Sequence, residues 1–121
     1  MMRGIRGATT AQKNDEKSIL LETRELLKQM MLSNQLDPEN VASVFISATA
    51  DLTAAFPAKA LREFNDWKYV PVMCMQELNV PGGLERCIRV MIHYNTTTRQ
   101  QEIQHIYLND AVSLRPDLLG K

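Results

Sequence analysis

Trp67-Lys68-Tyr69-Val70-Pro71-Val72-Met73-Cys74-Met75 is the stretch on which the fold turns. It is largely apolar and lacks the in-and-out alternation of a strand wetted on one side, so it reads as a strand with both faces covered. Pro71 has no N–H to contribute to a ladder, which puts the strand at a sheet edge or a bulge. Working outward, residues 87–94 form a second apolar strand, residues 41–47 a third, and residues 5–10 a short opening one. Residues 105–114 read as a last strand or pair of strands. Pro81-Gly82-Gly83 is a turn, and residues 96–101 are a polar loop.

Two helices stand between these strands. Asn14-Asp15-Glu16 supplies helix-start chemistry, after which Ile19, Thr23, Leu26, Leu27, Met30 and Met31 recur at three- and four-residue spacing. That stripe reads as core. Asp37-Pro38-Glu39 is a short capped turn, and Pro57 opens a second, shorter helix. Its wheel puts Ala60, Leu61 and Phe64 on one side and Lys59, Arg62, Glu63 and Asp66 on the other. One long helix, one short helix and a mixed sheet make an α+β domain of α/β type, with residues 1–121 as one unit. Two helices are too few to cover both sides of so apolar a sheet, so the bare side is expected to be buried against further copies in a closed symmetric oligomer.

Length and charge narrow the function. A chain of 121 residues is long enough for a real core and too short for a second domain. Its 14 Lys and Arg balance its 14 Asp and Glu, so no overall field recruits nucleic acid or an anionic membrane. No run approaches the roughly 20 apolar residues that cross a bilayer, and the opening Met-Met-Arg-Gly-Ile-Arg lacks a secretory apolar segment, so a cytoplasmic protein is expected. Cys74, Cys87, His93 and His105 lack the close pairing of a metal site, and both thiols read as reduced core residues.

Against that core, a few residues are out of place. Arg89 lies inside Cys-Ile-Arg-Val-Met-Ile, and a guanidinium among such neighbours needs an anion, an internal salt bridge, or a route to solvent. Arg6 repeats the pattern between Gly4 and Gly7, small residues that let a ligand or a backbone approach closely. Arg115 follows apolar Leu114, and Glu77 ends the Val72-Met73-Cys74-Met75 run as a terminus or a counter-charge. Tyr107 reads as a packing residue with its hydroxyl directed outward. No nucleophile motif, phosphate-cradling Gly loop or basic aromatic stripe is present. An excess of arginine in apolar strands suits a small molecule with several carboxylates, which the planar guanidinium grips bidentately.

The sequence resembles the monofunctional α/β-type chorismate mutases over nearly its whole length. The resemblance runs from Arg3-Gly4-Ile5-Arg6-Gly7-Ala8-Thr9-Thr10 to Leu114-Arg115-Pro116-Asp117-Leu118. Between them stand Ser47-Ala48-Thr49 with Asp51-Leu52, Phe56-Pro57-Ala58-Lys59-Ala60 with Arg62, and Val70-Pro71-Val72 with Cys74-Met75-Gln76-Glu77. Gly82-Gly83-Leu84 and Cys87-Ile88-Arg89-Val90-Met91 complete the series. It implies a homotrimer with a barrel-like core of packed sheets, active sites between subunits, no cofactor, and rearrangement of chorismate to prephenate.

By the same resemblance, Arg89, Glu77 and Arg6 are the catalytic residues. Arg89 would meet the ether oxygen, Arg6 and Tyr107 a carboxylate, and Glu77 with Cys74 the ring hydroxyl. Phe56, Ala58, Lys59, Val72, Met73 and Leu114 would line the cleft, with Arg62 and Arg115 near its mouth. Cys74 and Glu77 stand three apart, so strand alternation puts them on opposite faces unless the strand bends or ends between them. Met73 stands where the family often has a small polar residue. A trimeric anion-binding or regulatory protein without turnover is the alternative, and an assay with chorismate separates the two.

Overall fold

Residues 1–114 are described by the computed structural model, a five-stranded sheet crossed by one α-helix. Strand β1 (Met2–Thr10) leads into helix α1 (Glu16–Ser33), followed by β2 (Val41–Ala48), β3 (Val72–Gln76), β4 (Cys87–Asn95) and β5 (Ile106–Tyr107). The spatial order is β3-β2-β4-β1-β5; β4 runs antiparallel to both neighbours, whereas β3 lies parallel to β2 and β5 parallel to β1. This is the mixed sheet expected of an α+β chain.

Helix α1 starts where the sequence says. The Asp15 side chain accepts from the Ser18 N–H at 2.7 Å, satisfying one of the free donors of the first turn. At the other end Asn34 donates from Nδ2 to the Met30 carbonyl. Ile19, Thr23, Leu26, Leu27 and Met30 are buried, and Thr23 satisfies its hydroxyl within the helix by donating to the Ile19 carbonyl. The helix comes down on β1 at Gly7, where a Cβ would collide with Met30 and Leu26. The close approach foreseen for that glycine is therefore made by the helix.

Register divides the sheet into two unlike faces. Ile5 on β1, Val44 and Ile46 on β2, and Ile88, Val90 and Ile92 on β4 lie under α1 with almost no exposure, joined by Ala60, Leu61 and Trp67. The other face carries Met73 and Met75 of β3, Phe45 and Ser47 of β2, Arg89 and Met91 of β4, and Arg6 of β1. No element of the described residues covers it as α1 covers the first.

Three expectations are corrected. The 67–75 run is not one strand: Trp67 closes a 3-10 turn (Asn65–Trp67) and is buried, and the ladder begins only at Val72. Pro71 accounts for the start, since it contributes only a carbonyl, which accepts from the Val44 N–H at 2.9 Å. β3 is consequently an edge strand, as Pro71 implied, but Met73 is 62% and Met75 45% exposed, so within the chain one of its faces is bare. Residues 105–114 hold only the two-residue β5; Asn109 adopts a φ of 55° and turns the chain into a 3-10 helix (Asn109–Leu114). The short helix after Pro57 is likewise 3-10 (Pro57–Glu63).

Candidate active site

The residues that the core could not explain meet on the bare face. Pairing aligns Met75, Ser47, Arg89, Ala8 and Tyr107 in one row across the sheet, from edge strand β3 to β5. Arg6, two residues before Ala8, shares their face. Glu77 follows β3, where its N–H donates to the Ala48 carbonyl at 2.9 Å and carries the alternation one residue further. Arg6, Ser47, Glu77, Arg89 and Tyr107 line a cavity of about 220 Å³, and Leu114 joins Glu77 and Arg89 around a neighbouring one of about 460 Å³.

The charges in this cavity are only partly matched. Glu77 Oε2 lies 3.8 Å from Arg89 Nε and accepts a hydrogen bond from the Ser47 hydroxyl. That separation is too long for a hydrogen bond, and the Arg89 side chain keeps 44% of its exposure. Arg89 is thus neither fully wet nor locked to the carboxylate. Tyr107 completes the picture: its hydroxyl is buried and has no hydrogen-bond partner among the described residues. Leaving such a group unpaired costs about 1–3 kcal/mol.

A clamp fixes the strand ends beside the cavity. The Cys87 N–H donates to Thr49 Oγ1 at 2.9 Å and the Thr49 N–H to the Cys87 carbonyl at 3.0 Å, stapling the end of β2 to the start of β4. Asp51 holds the staple from behind, accepting from the Thr49 hydroxyl at 2.5 Å and from the Arg86 N–H at 2.9 Å. Burial works against its charge, but those hydrogen bonds and the Arg86 guanidinium outweigh it and keep the carboxyl below the usual value. Arg86 adopts a φ of 49°, strained for a residue with a side chain, and Asp51 holds its N–H there.

The other residues foreseen for the site lie elsewhere on this chain. Cys74 points to the opposite side of β3 from Glu77, as alternation requires, and lines a cavity of about 660 Å³ with Phe56 and Lys59. Ala58, Arg62 and Val72 border a fourth cavity of about 560 Å³. Lys59 forms an exposed ion pair with Glu16 at 3.2 Å. Met73 stands on the bare face outside these cavities, and Arg115 lies outside the described residues. The foreseen residues therefore fall into separate groups on this chain, one on the bare face and others beyond the sheet edge. Ser47 is the residue that sequence reasoning missed; a serine in an apolar strand carries no signal until its register with Arg89 is known.

Two arginines, a partly paired carboxylate and a buried phenol are gathered on the open side of an α+β sheet, an arrangement chemically suited to a small anion. The chain matches the family described as chorismate mutase type I over residues 2–118. It is 52% identical over 118 residues to "Chorismate mutase AroH" of Bacillus subtilis (strain 168), covering 98% of this chain and 93% of that one. With the protein of the same name from Thermus thermophilus it shares 45% over 119 residues, covering 98% and 97%. A solved chorismate mutase from Clostridium thermocellum superposes with a TM-score of 0.88 at 46% identity, over 91% of this chain and 97% of that one. The chain belongs to the chorismate mutase type I family.

Proposed function

We propose that this chorismate mutase, an isomerase of aromatic amino acid biosynthesis, converts chorismate to prephenate at sites shared between the subunits of a homotrimer. The reaction breaks an ether C–O bond while a C–C bond forms, through a chair-like transition state, and needs neither a nucleophile nor a proton shuttle. What the protein can supply is shape and charge. Arg89 faces the ether oxygen and offsets the negative charge that grows there, an interaction that lowers the barrier because the charge exists only in the transition state. Arg6 and Tyr107 hold a carboxylate. Glu77 accepts from the ring hydroxyl and helps select the compact, reactive conformer, which the free substrate seldom adopts.

The observation that carries this assignment is the buried Tyr107 hydroxyl, unpaired among the described residues and sharing a cavity with Arg6 and Arg89. A substrate carboxylate supplies the acceptor that the fold omits. The division of the candidate residues supports shared sites: Phe56, Lys59 and Cys74, together with Ala58, Arg62 and Val72, would close over the Arg89 cavity of an adjacent copy, with Met73 on the bare face beside the contact. Exposed apolar side chains support assembly there. Phe56, Tyr69, Leu78 and Val80 are between 62% and 88% exposed, and Met73 is 62% exposed on the bare face; exposed apolar side chains of this kind suit a protein contact.

A cytoplasmic setting fits the two free thiols, and among the described residues no helix is long and apolar enough to cross a membrane. Loss of chorismate absorbance on adding protein, with prephenate appearing in equal amount, tests the activity. Sedimentation at micromolar concentration tests the assembly: a trimer is expected, and a stable, fully active monomer would rule out shared sites.

A further inference from the structure

We infer that Ser47 is a positioning residue of this reaction, whose hydroxyl holds the Glu77 carboxylate off Arg89 and so keeps the guanidinium open to substrate; the inference rests on the chorismate mutase reading. Ser47 stands directly across from Arg89 on the neighbouring strand, and its side chain lines the cavity that Arg89, Glu77, Arg6 and Tyr107 share. Its hydroxyl donates to Oε2 of Glu77, the same oxygen that lies 3.8 Å from Arg89 Nε. Oε1 makes no hydrogen bond among the described residues, nor does the Arg89 guanidinium.

The physical problem this solves is self-neutralisation. An arginine and a glutamate on one half-buried face ordinarily close into a bidentate pair, which would take up the guanidinium fork that the ether oxygen needs. A hydroxyl donor beside the carboxylate offers a competing partner that is already in place, fixed on the strand next to Arg89. With Oε2 engaged by Ser47, the carboxylate stays just outside hydrogen-bond range of Arg89, and Oε1 is left without a hydrogen bond among the described residues. Both groups are then ready when substrate arrives, with no internal pair to break.

The test is kinetic and uses the intact full-length protein. Wild-type turnover is measured first; its absence would strike at the chorismate mutase reading itself. Given turnover, Ser47→Ala is expected to lower kcat by roughly 10- to 100-fold, the range for losing a hydrogen bond to a charged group. KM should change less than about threefold on the same reasoning, because the loss falls on charge developing in the transition state. Ser47→Thr, which keeps the hydroxyl on a residue suited to strands, should return kcat to within a few-fold of wild type. In a Glu77→Gln background, Ser47→Ala should cost little more, since a residue acting through Glu77 has nothing left to position. A Ser47→Ala enzyme with wild-type kcat would overturn the inference, as would an undiminished Ser47→Ala effect in the Glu77→Gln background. Melting temperatures of all variants separate these outcomes from loss of fold.

Discussion

Ile88 and Arg89 are neighbours on β4, yet they belong to two different problems. Ile88 points under α1, has no exposure, and is surrounded by core that this chain supplies entirely by itself. Arg89 points to the bare face, where it lies beyond hydrogen-bond range of a carboxylate and shares a cavity with a phenol that has no hydrogen-bond partner among the described residues. A folding core tends to satisfy every group it buries. A face left unsatisfied at such cost is where the proposed reading seats its substrate and a second subunit.

The difference between the faces can be broken most sharply at Arg89. Arg89→Lys keeps the charge but loses the planar fork, and it should reduce kcat by roughly 10²–10³-fold, as for removal of one oxyanion donor. The melting temperature and the assembly should be unchanged, because Arg89 makes no hydrogen bond within the described chain. Near-wild-type kcat in a folded Arg89→Lys trimer would remove Arg89 from the chemistry. Tyr107→Phe comes next. It deletes an unpaired buried hydroxyl, so the protein should be no less stable, while KM for chorismate rises about tenfold through loss of a charge-assisted hydrogen bond. A fall in stability without a rise in KM would show that the hydroxyl serves the fold.

Ile88→Val inverts the pattern. Removing one methylene from a fully buried position should cost about 0.5–1.5 kcal/mol of unfolding free energy, read from urea denaturation, and leave kcat as it was. Should activity fall in step with stability, the two faces would not be independent, and the division drawn across β4 would fail.

Much of this division was legible in the sequence, because it depends on parity. Helix α1, its Asp15 cap, strands β1, β2 and β4, and the edge position marked by Pro71 all follow from spacing and local chemistry. So did the misfit of Arg89, and the prediction that Cys74 and Glu77 face opposite ways. What failed was long-range. Trp67 is apolar because it packs beneath the sheet from a turn, not because it belongs to a strand, and a local pattern cannot separate the two. Residues 105–114 looked strand-like until Asn109 turned the backbone to a positive φ. The role of Ser47 depends on registers with β3 and β4 that no single segment encodes.

Cys87 gives the mildest test, because it shares the face of Arg89 yet is almost fully buried, lining the cavity of about 460 Å³ beside Glu77 and Arg89. Burial pushes its thiol up from 9.0 to about 11, and the positive charge of Arg89 only partly offsets this. In the unfolded chain the thiol ionises near its ordinary value, whereas in the folded protein it keeps its proton. Between those two values the unfolded state therefore binds fewer protons, and stability must fall as the pH rises. Below about pH 9 the group contributes its full share; by pH 11 that share is gone. Lysines and tyrosines also titrate in this range, so the useful measurement is a difference. Urea midpoints of the wild type and of Cys87→Ala, taken from pH 8 upward, should converge or cross as the wild type loses ground. Parallel curves would mean that the thiol reaches solvent in the folded protein, and that the bare face is open at the start of β4.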